Sequence, residues 1–157
     1  MRKRIVGPQR PEAGGESQQG WLNLQQIATV EVTSEDPGFP VESALHLGGG
    51  PGWRASQKGA QQIRILFDEP LSVHRMQLRF HEAEYERTQE FTLRWSGKDQ
   101  PTREIVRQQW NFSPSGATTE FEDYAVELEA VSVLELRIQP DLSRGESVAK
   151  LVSWRMA

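Results

Sequence analysis

Apolar and polar side chains take turns along most of this chain, and that period of two constrains its fold more than any other feature. Between residues 61 and 68, Ile63, Ile65 and Phe67 fall on one side; from 73 to 80, Met76, Leu78 and Phe80 do so against Gln77 and Arg79. Residues 89–96 repeat the design with Phe91, Leu93 and Trp95 opposite Glu90, Thr92 and Arg94. Residues 124–128 carry Tyr124, Val126 and Leu128 in phase, and residues 134–138 carry Leu134, Leu136 and Ile138. Further strands are expected at 27–33, at 103–110 and, with a bulge near Val152, at 148–156. Successive side chains of a strand point to opposite faces, so each segment has one dry and one wet face. A single wet face per sheet is the mark of antiparallel pairing. Eight such strands, separated by Gly-, Pro- and Asp-containing turns such as 34–38, bury their dry faces against one another in an all-β sandwich. Helix is confined to a turn or two at 41–45. Residues 82–87 lack an apolar stripe at helical spacing and are expected to form a loop.

A chain of 157 residues is long enough to bury one hydrophobic core. Residues 1–20, rich in Gly, Gln, Pro and Arg, have almost nothing to bury and read as a disordered arm ahead of a domain at 21–157. Met1 to Arg4 have the charge of a secretory leader, but no apolar stretch of about 7–15 residues follows. No run approaches the ~20 apolar residues of a membrane span. The absence of cysteine excludes disulfides, thiolate metal sites and a cysteine nucleophile. These features point to a cytoplasmic monomer with no membrane contact. The net charge of −4 divides into +2 for residues 1–20 and −6 for the rest. An acidic body lacks the electrostatic footprint of a nucleic-acid binder.

The segments ATVEVTS (28–34), PVESAL (40–45), GWRA (52–55) and QIRILF (62–67) follow one another in the order of a galactose-binding-like domain. VHRMQLRF (73–80), FTLRW (91–95) and LELRI (134–138) resemble its central strands. The chain thus resembles, over residues 27–156, the superfamily of discoidin (coagulation-factor 5/8 type C) domains and bacterial carbohydrate-binding modules. The resemblance implies an eight-stranded antiparallel jelly roll with its ligand-binding loops gathered at one end. It also implies calcium, through an Asp that follows Ala-Leu in family members. Here His46 follows Ala44 and Leu45, and a neutral imidazole is a poor ligand for a hard cation. No cofactor is therefore expected.

No nucleophile elbow, phosphate loop or zinc-protease spacing occurs, and the three histidines (His46, His74, His81) sit in unrelated segments. Gly48 to Gly52 form a sharply bent loop rather than a phosphate cradle. Glu120, Glu122 and Asp123 read as a solubilising strand edge. A pyranose, by contrast, has an apolar face and a rim of hydroxyls, and calls for a flat aromatic ring among polar side chains. Three loop segments offer that chemistry: Trp53 with Arg54; His81, Glu84, Tyr85 and Arg87; and Trp110 with Asn111. Of these, Trp53 is expected in the core and Arg54 on loop carbonyls. Trp110 and Phe112 are expected as core plugs at least as much as platforms, and Trp95 and Trp154 as core. Tyr85, Arg87 and Asn111 are expected at the surface. The function this favours is non-catalytic carbohydrate recognition. An intracellular protein-interaction or scaffolding domain is the alternative, because the same fold serves both.

Overall fold

The alternation is realised as strands. The structure, a computed structural model, describes residues 20–143 and 145–157; apart from Gly20, the expected N-terminal arm lies outside the described residues. A one-turn helix α1 (Leu24–Ile27) leads into β1 (Ala28–Val32), and the short α2 (Glu42–Leu45) follows Pro40 as expected. Then come β2 (Trp53–Lys58), β3 (Gln61–His81), β4 (Arg87–Ser96), β5 (Arg103–Phe112), β6 (Thr119–Gln139), β7 (Val148–Leu151) and β8 (Ser153–Met156). Every pairing is antiparallel.

The strands expected at 61–68 and 73–80 are one bent strand of 21 residues, and β6 joins 124–128 to 134–138 in the same way. Glu69 and Pro70 bend β3 rather than stop it. The ladder to β6 slips between Leu66 and Leu71, around a proline that has no N–H to donate. β6 turns its own corner at Ala130, whose φ of 55° is left-handed.

The two bends let the same pair of strands serve both layers of a jelly-roll sandwich. One layer runs β1–β3–β6–β4–β5, through residues 61–67 of β3 and 133–139 of β6. The other holds residues 119–128 of β6, 71–81 of β3 and then β8. β2 and β7 form a separate two-stranded ribbon. The expected bulge at Val152 divides β7 from β8, and the Val152 N–H still donates to the Arg79 carbonyl at 2.9 Å.

Between the layers lie Ile63, Ile65, Met76, Leu78, Phe80, Phe91, Leu93, Leu134, Leu136 and Trp154, all fully buried. Phe80 of one layer stacks on Phe91 of the other, centroids 5.2 Å apart. Each such side chain contributes about 1.5–3 kcal/mol by leaving water. Trp95 departs from expectation: it is half-buried, with the Arg103 guanidinium 5.1 Å from its ring centre.

The carboxylates at 120–123 also depart from it. β6 begins at Thr119, so Glu120, Glu122 and Tyr124 share the face that turns inward beside Phe80, Leu78 and Met76. Glu120 is fully buried, and the Gln89 amide donates to its Oε1 at 3.2 Å. Burial first, and the neighbouring Glu122 second, push its carboxyl well above the usual carboxylate range. Only Asp123 keeps the expected surface role, bridged to Arg75 by two hydrogen bonds of 3.0 and 2.7 Å.

Candidate functional site

At the end of the sandwich where β3 passes into β4, residues 82–86 form the expected loop. The carboxylate of Glu82 determines its shape. Oε2 accepts the backbone N–H groups of Glu84 (3.0 Å) and Tyr85 (3.3 Å), turning the chain back toward β4. Oε1 accepts Nε of Arg87 (2.9 Å) and Nζ of Lys150 (3.1 Å). Burial alone would raise the pKa of Glu82. The Glu84 N–H, the Arg87 guanidinium and the Lys150 ammonium outweigh it and hold the group at about 2.

Arg87, expected at the surface, has a side chain only 1% exposed. The residue opens β4 on the inward face, and inside it finds acceptors enough to stay charged. Nη1 donates to the Pro140 carbonyl (2.7 Å) and to Gln89 Oε1 (3.1 Å), and the guanidinium lies 4.7 Å from the Phe112 ring centre. Nη2 is buried without an acceptor.

Tyr85 stands outside this buried base, 64% exposed, on the wall of an open groove of about 1200 Å³. The opposite wall is β2, whose Arg54 is in register with Lys150 of β7, so both cations face the same side. β2 takes this course because Gly52 has φ +93°, and a Cβ there would sit 2.6 Å from the Leu151 carbonyl oxygen. Arg54 does not bond loop carbonyls through its side chain as expected. Its guanidinium lies 4.6 Å from the centre of the Phe39 ring, and Nε is buried without an acceptor. Asp36, Glu84, Glu86 and Asp141 add carboxylates to the lining, and Ser56, Ser147 and Thr88 add hydroxyls. Asp141 accepts both the N–H and the hydroxyl of Ser143, closing the turn on that side. The groove therefore presents a ring face and a mixed polar rim of carboxylates, hydroxyls and basic side chains.

Of the eight residues singled out from the sequence, the groove brings together Arg54, Glu84, Tyr85 and Arg87. Trp53 is core, 1% exposed, with its indole N–H donating to the Ser34 carbonyl at 3.0 Å. His81 pairs with the Thr119 hydroxyl at 3.2 Å and does not line the groove. Trp110 is half-buried against the core beside the fully buried Phe112. Asn111 is exposed as expected, accepts from the Thr88 hydroxyl at 2.7 Å and does not line the groove. Convergence of the third segment on the other two is thus not found. Sequence reasoning missed Glu82 as the anchor, along with Asp36, Asp141 and Lys150. Only the Asp-x-Ser spacing of 141–143, a turn signature, was there to be read.

The calcium that the resemblance implies does not fit these residues. The His46 ring closes its own turn by accepting the Gly48 N–H at 2.9 Å, and the Arg155 guanidinium donates to the Leu47 carbonyl at 3.3 Å. That loop already holds a cation. Among the described residues, no three His, Cys, Asp or Glu side chains are grouped to hold a metal.

The fold is a galactose-binding-like jelly roll, the fold also of family 32 carbohydrate-binding modules. The chain superposes on a Clostridium perfringens module solved with GalNAc-β-1,3-galactose, with a TM-score of 0.62 and 12% identity over 87% of this chain and 98% of that one. It also matches the family 32 module of Clostridium perfringens NanJ in complex with galactose (TM-score 0.57, 12% identity, 87% and 96% covered). A pectin-binding carbohydrate-binding module matches at a TM-score of 0.56 and 14% identity, over 83% and 90%. No protein-family model matches the sequence, and no curated protein matches it.

Proposed function

We propose that this chain is a non-catalytic carbohydrate-recognition domain whose ligand lies in the groove between the 82–86 loop and β2. The observation that carries this reading is Tyr85: a tyrosine 64% exposed, held by two backbone hydrogen bonds at its loop's base, over a groove lined with hydroxyls and charges. An exposed aromatic ring on an anchored backbone is suited to stack on a sugar's apolar face. The hydroxyls, carboxylates and basic side chains that line the groove with it suit sugar hydroxyls. Neighbours of the same fold were solved with galactose and with a GalNAc-containing disaccharide.

Titration with galactose and GalNAc-β-1,3-galactose, followed by amide shifts, tests the proposal. Saturable shifts are expected in 54–56 and 82–88. Shifts absent at millimolar sugar, or confined to 108–112, would overturn it.

A further inference from the structure

A chain of buried polar groups runs from the Tyr85 loop into the sandwich. It starts at Glu82, whose Oε2 holds the backbone of Glu84 and Tyr85 and whose Oε1 holds Nε of Arg87. Arg87 Nη1 donates to Gln89 Oε1 at 3.1 Å, and the Gln89 amide donates in turn to Glu120 Oε1 at 3.2 Å. Glu82, Arg87, Gln89 and Glu120 are each at most 4% exposed. The chain ends on a proton. Glu120 Oε2 is buried with no donor beside it, and its hydrogen-bond partner is the carboxyl of Glu122. Two carboxyl groups in contact cannot both be charged, so Glu120 stands as a neutral acid. Arg87 is the cation whose charge reaches it, with Lys150 further off, beyond Glu82. The Tyr124 hydroxyl, its pKa raised by burial and then by the two glutamates, stays protonated. The other strands add no charge here: Phe80 of β3 lies opposite Glu120, and Trp110 of β5 lies opposite Gln89.

Resting on the carbohydrate reading above, we infer that Gln89 and the neutral carboxyl of Glu120 are positioning residues for the groove, and that loss of the Glu120 proton loosens the Tyr85 loop and weakens ligand binding. While Glu120 is neutral, Glu82 has no rival for Arg87, and Gln89 turns its carbonyl oxygen to the guanidinium. An ionised Glu120 is a second carboxylate competing for that one cation, and inside a protein such competition is strong. As Arg87 moves toward it, Glu82 loses one of its two cations, and the N–H groups of Glu84 and Tyr85 lose a firmly placed acceptor. Neither Gln89 nor Glu120 lines the groove, so their influence on a ligand is carried by Arg87.

Carbon-detected NMR from pH 6.5 to 10, with galactose titrations at both ends of that range, tests this. The Glu120 carboxyl carbon should titrate with a midpoint of about 9. The Arg87 guanidinium carbon and the backbone carbonyls of Glu84 and Tyr85 should move with the same midpoint. Galactose affinity should fall about three- to fourfold, which a coupling of about fivefold gives one pH unit above the midpoint. Glu120→Gln keeps an acceptor for Gln89 but cannot ionise, so neither its Arg87 carbon nor its affinity should follow that midpoint. Ionisation of the exposed Tyr85 hydroxyl is common to both proteins and cancels in the comparison. A Glu120 midpoint in the ordinary carboxylate range, an Arg87 carbon that stays still while Glu120 titrates, or a pH dependence that survives in Glu120→Gln would overturn the inference while the carbohydrate reading stands. Should galactose bind at neither pH, the carbohydrate reading fails, and the carbon titrations still decide whether Glu120 governs the loop.

Discussion

Arg87 and Glu82 meet at 2.9 Å, Nε to Oε1, with side chains 1% and 3% exposed, across a loop whose exposed tip carries Tyr85. Taking two charges out of water is expensive, and their attraction offsets this only when the remaining lone pairs and protons find partners. Here Lys150, two backbone N–H groups, Gln89 and the Pro140 carbonyl supply almost all of them. The ion pair thus fixes the loop that carries Tyr85 and binds it to the body of the sandwich. Rigidity of the groove and stability of the fold share one set of bonds.

Breaking that pair from either side should be costly. Glu82→Gln and Arg87→Met are each expected to lose about 3–5 kcal/mol in urea unfolding, because each strands a buried charge. The double variant should lose clearly less than the sum. Additive losses would show that the two groups do not interact.

Acid should expose the same dependence. The folded-state value of about 2 for Glu82 lies below its ordinary 4.5, so the unfolded chain takes up the proton first as pH falls. The stability it contributes is complete above about 4.5 and disappears as pH drops through about 2. The amount is about 3 kcal/mol. Unfolding followed from pH 6 to 2 should show this loss in the native protein and a flatter limb in Glu82→Gln.

Glu120 should act in the opposite direction. Its folded-state pKa is raised, first by burial and then by Glu122, so its contribution is complete below 4.5 and is lost as pH rises toward about 9. Glu120→Gln keeps an acceptor for the Gln89 amide but cannot ionise. Thermal melts of this variant are expected to vary less between pH 5 and 9 than those of the native protein, and to lie higher at pH 9. A steeper alkaline decline in the variant would refute the assignment.

At Gly52, alanine faces both a φ of +93° and a Leu151 carbonyl oxygen 2.6 Å from the new Cβ. Backbone is on both sides of the clash, so relief requires β2 and β7 to separate. Gly52→Ala should cost more than 2 kcal/mol, roughly the sum of left-handed strain and overpacking. Denaturant titration would measure it.

Two aromatic truncations separate core from surface. Trp53→Ala removes a fully buried indole and is expected to cost about 3–5 kcal/mol. Tyr85→Ala, at an exposed site, should change stability by no more than about 0.5 kcal/mol while weakening sugar binding at least tenfold. Equal losses of stability in both would remove Tyr85 from the surface role assigned to it.

Particular residues show how far the chain could be read in advance. Ile63, Ile65 and Phe67, or Phe91 and Leu93, declare their burial through spacing alone, because a strand's side-chain period belongs to its own backbone. Tyr85 was legible as exposed from its place in a loop, and Asn111 from its polar type between two aromatic residues. Arg87 was not. Its type predicts a solvated surface, and its burial depends on Glu82, on Lys150 from β7 and on a carbonyl 53 residues away at Pro140. Glu120 likewise looked like a solvated edge until β6 was seen to start one residue before it.

The sequence by itself determined the antiparallel sandwich, the identity of its apolar rows and the position of the loop at 82–86, all of which follow from interactions along a few neighbouring residues. Tertiary structure alone decided that β3 and β6 bend to serve two layers, that Arg87 turns inward, and which polar residues meet in a groove. Those outcomes depend on charges and donors brought together from distant segments, and the penalty for leaving a buried polar group unpaired, which selects among such meetings, has no signature in local spacing.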